Sequence, residues 1–249
     1  MVYAGLVGAC VGSFLNVCVY RWPADLSVIS PPSRCGSCGT PIKWYDNVPV
    51  LGWLWLRGKC RACGARISIQ YPLVELVTAA LWVMAAWRFG LSWQTLATAF
   101  FFTLLLGIAL SDARTYIIPD QFTLGGLVIG LALSFAPGCI SPLRSVIGAA
   151  VGFALLWMVA VLGEWAFKKP AMGGGDIKMM AMVGAFLGPL GVLLTIFLGA
   201  LFGSLIFAPI SYRTGKLVPF GIFLALGAAL TEPFGQAMID WYVRSFLVV

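Results

Sequence analysis

From Met179 to Tyr212 the chain runs for 34 residues without one charged side chain. A helix that long and that apolar has no polar face to give to water. It belongs in a bilayer, where only helices and closed barrels satisfy every backbone hydrogen bond. Composition agrees: 61% of the 249 residues are hydrophobic and only 10% are charged, against about 25% in a soluble domain. The net charge of +7 invites a nucleic-acid reading, but the basic residues fall in short loops between apolar runs. That pattern fits loops at a membrane surface, so lipid is expected as a partner and nucleic acid is not. The absence of histidine removes histidine triads, imidazole-ligated metals and histidine general bases.

A helical span needs about 20 apolar residues. Met1–Tyr20, Tyr71–Trp87, the end of Phe89–Leu110, Gln121–Pro137 and Ser145–Gly163 supply five. Gly188-Pro189-Leu190-Gly191 divides Met179–Tyr212 into a sixth and a seventh, and Leu217–Gly235 is the eighth. Met1–Tyr20 has no basic stretch before it, so it reads as a span and not as a cleaved signal. The expected fold is all-α and polytopic, with about eight transmembrane helices. Residues 1–20 form the first helix, 21–70 a small polar domain, and 71–249 the membrane-embedded remainder. Eight spans put both termini on one side. On the other side lie 13 of the 16 Lys/Arg residues, leaving Arg88, Arg144 and Arg244. The positive-inside rule then places the termini outside and the polar segment in the cytoplasm.

That segment carries Cys35-Gly-Ser-Cys38-Gly and Cys60-Arg-Ala-Cys63-Gly, with 21 residues between the pairs. Two turns that each offer two thiolates complete a tetrahedral four-sulfur site, so Cys35, Cys38, Cys60 and Cys63 are expected to hold structural zinc. The glycine after each second cysteine suits a left-handed turn position. About 50 residues make a poor core without such a staple. Cys10, Cys18 and Cys139 have no partners at metal spacing.

Nine acidic residues remain to be placed. Asp25 and Asp46 read as solvated, Asp120 as the N-cap of the helix it precedes, and Glu75 as either snorkelling or binding a substrate amine. Asp112 and Asp176 differ. Each ends a long uncharged stretch at the expected cytoplasmic face, where an ionisable group marks a functional site. Gly173, Gly174 and Gly175 before Asp176 leave room for a helix or an extended peptide. Two carboxylates sharing one proton are the minimal equipment of an aspartic protease. In that chemistry one is ionised and accepts a proton from water, while the other is protonated and polarises the scissile carbonyl.

Six stretches in order resemble the type IV prepilin peptidases, the GxGD-type membrane aspartic proteases. They are GSFLNVCVYRWP (Gly12–Pro23), PPSRCGSCG (Pro31–Gly39), NVPVLGWLWLRGKCRACG (Asn47–Gly64), ISIQYPLVEL (Ile67–Leu76), SDARTYIIPD and GGGDIKM (Gly173–Met179). The resemblance implies Asp112 and Asp176 as the catalytic pair, with Gly173 and Gly175 as the supporting motif. It implies zinc on the four cysteines, and Asn16, Glu75 and Lys178 as candidates for substrate contact. It further implies a bacterial inner-membrane enzyme that cleaves the leader of prepilins or pseudopilins after glycine. Bifunctional members then methylate the new N-terminus with S-adenosylmethionine. Arg114 and Tyr116 depart from the acidic residue and histidine common after the first aspartate. No nucleotide-binding glycine fingerprint is present. The alternatives from the residues alone are a scaffold for pilus or secretion assembly, with inert aspartates, and a proton-coupled transporter.

Overall fold

The computed structural model describes residues 1–169, 172–214 and 219–247, with side chains placed for all of these except 207–214 and 247. Lys216 and the expected start of the last span at Leu217 lie outside the described residues, as does the side chain of Arg213. The described chain is helical, without a strand beyond two isolated bridges. The helices are α1 (Val2–Arg21), α2 (Leu51–Trp55), α3 (Gln70–Phe89), α4 (Trp93–Thr115), α5 (Asp120–Leu133), α6 (Pro142–Phe167), α7 (Gly174–Thr214) and α8 (Phe220–Tyr242). They fall into two compact units, Met1–Thr103 and Leu104–Val249.

In the first unit α1 and α3 run antiparallel, with Gly8 against Trp82 and Gly12 against Glu75. Small residues let apolar helices approach closely where lipid offers no hydrophobic drive for their association. Trp82, Ala85 and Ala99 form a buried cluster with Val11, Leu96 and Phe100 around it. The Trp82 indole N–H would be costly unpaired in this setting, and it donates to Thr103 Oγ1 at 3.0 Å.

In the second unit α6 and α7 meet almost backbone to backbone. A Cβ on Gly184 would fall onto the Gly148 carbonyl, and one on Gly148 onto that of Gly184. Ser145 Oγ closes the same contact by donating to the Ala185 carbonyl at 2.7 Å. Across α7, Thr195 Oγ1 donates to Thr231 Oγ1 of α8 at 3.2 Å.

Six described helices are long and apolar enough to cross a membrane. The two other expected spans are found in different form. The first is the fold-back inside α7, where Gly188 is non-helical at φ 73°, ψ −179°. That left-handed φ suits glycine, and Pro189 after it cannot donate a helix hydrogen bond. Gly175 lies against Ile118, which itself lies against Gly221, while Gly203 faces Phe220 and Phe223. Both limbs of α7 thus end beside the start of α8, although a straight helix from 175 to 203 would cover about 42 Å. The second is α5, expected to reach Pro137 but ending at Leu133 after 14 residues. Its length of about 21 Å is less than the roughly 30 Å of a bilayer core. Ala136, placed before a proline, is disfavoured in the helical region.

Gly184→Val should cost about 1–3 kcal/mol through overpacking and lower the melting temperature in detergent. Gly125→Ala, whose Cβ would meet nothing within 4 Å, should leave it unchanged.

Candidate active site and four-cysteine cluster

Asp112 lies in the last turn of α4, which the Tyr116 N–H closes on the Asp112 carbonyl at 3.0 Å. Tyr116 then takes a left-handed φ of 57° and ends the helix. Pro119 is extended and starts α5, so the short strap between them carries Ile118 back towards Asp112. Both neighbouring helices begin against this strap. A Cβ on Gly175 would sit 2.8 Å from Ile118 Cβ, and one on Gly221 would sit 2.7 Å from Ile118 Cδ1 and 2.8 Å from Asp112 Oδ2. The Ile222 backbone N–H donates to Asp112 Oδ2 at 3.2 Å.

Asp176 is the third residue of α7, and its carboxylate reaches back to the backbone N–H of Gly173. This is half of a capping box, with the acid at the third helical position serving the amide before the helix. Asp112 is among its charged neighbours. The two carboxyls are 5% and 9% exposed, so both are held largely out of water. Asp176 Oδ1 and the Ser111 hydroxyl are buried with no hydrogen-bond partner among the described residues.

The other candidates are engaged as follows. Lys178 Nζ donates to both oxygens of Asp120 at 2.8 Å, tying α7 to α5. Asp120 is therefore the first residue of α5 and an ion-pair partner. The N-cap is Pro119 and no side-chain cap exists, because proline has already set the chain direction. In the first unit Glu75 is buried and neither snorkels nor stands open. Its Oε2 accepts the N–H of Val50 at 2.7 Å, at the start of α2. Asn16 donates to the carbonyls of Gly12 at 3.3 Å and Tyr71 at 3.1 Å, while its Oδ1 has no partner among the described residues. Asp46 is also not free in solvent. Arg61 Nε donates to it at 2.8 Å, and that guanidinium holds its carboxyl below the usual range.

The cysteine turns are built alike. Cys35 N–H donates to Thr40 O and Gly39 N–H to Cys35 O, both at 2.9 Å. Cys60 N–H donates to Ala65 O at 2.8 Å and Gly64 N–H to Cys60 O at 2.9 Å. Gly39 and Gly64 take the expected left-handed φ of 70° and 71°. The four Sγ atoms lie within 4.8 Å of one another, with Cys35–Cys63 at 3.9 Å and Cys38–Cys60 at 4.0 Å. A tetrahedral centre with 2.3 Å metal–sulfur bonds needs sulfurs about 3.8 Å apart, so the cage fits a metal ion. The Thr40 hydroxyl pulls the Cys38 thiol down to about 6. Cys63 goes the other way: the Ala65 amide pulls it down, but Cys38 and its neighbours outweigh that and leave it at about 11. Four thiolates this close need a cation between them. Cys60→Ser should abolish the metal bound by the purified protein, read by elemental analysis, whereas Cys139→Ser should retain it.

The sequence singles out the two aspartates and the four cysteines but not Ile118, Gly221 or the Ile222 amide. The Pro219-Phe220-Gly221 step at the head of the last apolar run was the available signal.

Comparison with known proteins places two family models along the chain. The bacterial peptidase A24 N-terminal domain matches residues 6–89, and the type IV leader peptidase family matches residues 99–208. No solved structure matches. Among curated relatives, a Myxococcus xanthus protein is 39% identical over 95% of this chain and 69% of its own length. One from Aeromonas hydrophila is 37% identical over 95% of this chain and 91% of its own. One from Neisseria gonorrhoeae is 34% identical over 92% and 86%. Each is named prepilin leader peptidase/N-methyltransferase. With its buried aspartates inside the matched segment and near full-length similarity to these relatives, the chain belongs to the type IV leader peptidase family.

Proposed function

We propose that this chain is a membrane aspartic endopeptidase that removes the leader of type IV prepilins or pseudopilins after a glycine and methylates the new N-terminus. The observation that carries this reading is the pairing of Asp112 and Asp176, buried as charged neighbours at the ends of α4 and α7. Two carboxyls buried as neighbours do not both ionise readily, and in this chemistry they share one proton. The ionised carboxylate takes a proton from water. The water oxygen attacks the scissile carbonyl, whose oxygen is polarised by the protonated carboxyl. The proton then passes to the leaving amine as the carbon–nitrogen bond breaks.

The distribution of 13 of 16 basic residues supports a topology with termini outside and both aspartates at the cytoplasmic face. In that orientation a basic leader stays in the cytoplasm and its junction with an apolar helix meets the pair. The four-cysteine cage holds zinc; with all four positions taken by protein, such a site is structural.

The methyltransferase activity implies S-adenosylmethionine. A cavity of about 350 Å³ in the first unit lies between α1 and the loop that follows it, with Ser13, Phe14, Arg21, Pro32 and Asn47 among its lining. No carboxylate lines it to face a sulfonium cation, and Arg21 already donates to the Ser27 and Pro31 carbonyls at 2.8 Å. Methyl transfer is not assigned to it.

Co-expression with a prepilin tests the peptidase. Asp112→Asn and Asp176→Asn should each reduce leader removal at least about 100-fold, as loss of an acid–base group does. Full processing by either variant would refute the pair. Mass spectrometry of the mature pilin should show an N-terminal gain of one methyl group. Ala24→Cys and Ser92→Cys should be labelled from the cytoplasmic and the outer side, respectively.

A further inference from the structure

The start of α8 serves Asp112 and nothing else that the proposed reaction uses. The first amides of a helix have no partner within it, and the residue before this helix is Pro219, which makes no side-chain cap. The missing acceptor comes from α4. Asp112 Oδ2 takes the Ile222 N–H at 3.2 Å, and the Gly221 amide also faces this carboxylate. The approach depends on position 221 having no side chain, since a Cβ there would lie 2.8 Å from the same oxygen. Asp176 stands differently, with Oδ1 buried and no donor to it among the described residues.

We infer that Gly221 and the Ile222 amide are positioning groups for catalysis: they anchor Asp112 in place beside Asp176, whose buried Oδ1 has no such donor among the described residues. This rests on the peptidase reading above. It adds a third element, the first turn of α8, to a site otherwise made from α4 and α7. Neither group touches the peptide; both act through the carboxylate they hold.

The test replaces the Ile222 amide with an ester, by introducing the α-hydroxy acid analogue of isoleucine at position 222. This amide lies in the orphan first turn, so the exchange removes no donor that α8 itself uses and only weakens the Gly221 carbonyl as an acceptor. Cleavage of a prepilin peptide in detergent is then followed across pH. The expected result is a fall in kcat of about tenfold or more, the weight of one charge-assisted hydrogen bond. KM should stay within about twofold, because positioning acts on the chemical step, and the acid limb of the pH profile should be displaced. Gly221→Ala should show the same pattern more strongly, with Gly125→Ala at wild-type values. An ester variant with wild-type kcat and an unmoved acid limb overturns the inference, whatever Gly221→Ala does. So does a loss that appears wholly in KM. If Asp112→Asn still cleaves, the peptidase reading fails first; an inactive Asp112→Asn beside a fully active ester variant sinks only the role of α8.

Discussion

The hydrogen bond from the α8 amide to Asp112 is the contact on which the second unit turns. The start of a helix leaves N–H groups with no partner inside it, and each is costly if buried unpaired. Pro219 offers no side chain to help. The acceptor comes from a residue 110 positions earlier, and taking it up draws α4, α8 and Ile118 together. Asp176 then arrives on the first turn of α7, whose Gly175 packs on the same isoleucine. The first unit uses the same device, with Glu75 of α3 accepting the amide that opens α2. In both units a buried acid in an apolar helix serves the end of a different helix.

That logic explains what was legible in the sequence. Spans follow from runs of apolar residues, and every expected span has a helix in the described chain. The cysteine turns follow from four-residue spacing and a glycine, both local, and they fold as read. Asp112 and Asp176 stand out because they interrupt apolar stretches. Pairings across the chain were not legible. Asp120 looks like a cap because its neighbours are Pro119 and an apolar run; its partner Lys178 is 58 residues away. Asp46 looks solvated in a polar segment until Arg61 folds over it. Gly221 carries no chemistry of its own, and only the oxygen beside it reveals why a side chain is excluded.

Length misled in one place. The apolar run from Gln121 to Pro137 reads as a full span, yet α5 stops four residues sooner than its composition allows, at Leu133. Hydropathy continues past the point where the backbone can. The short helix is nevertheless well held, with Gly126 against Met182 and Gly130 against Phe186. It runs parallel to the first limb of α7, and the Lys178–Asp120 pair fixes their relative height at the end nearest the aspartates.

The glycine contact between α6 and α7 has a mechanical consequence. Where Gly148 and Gly184 meet, each backbone occupies the space that a side chain would take on the other. Gly152 repeats the contact one turn along α6, where a Cβ would meet the Met180 carbonyl. The two are therefore keyed like a bolt in its slot and move as one body. Asp176, eight residues before Gly184 on the same limb, is mounted on the stiff half of the unit.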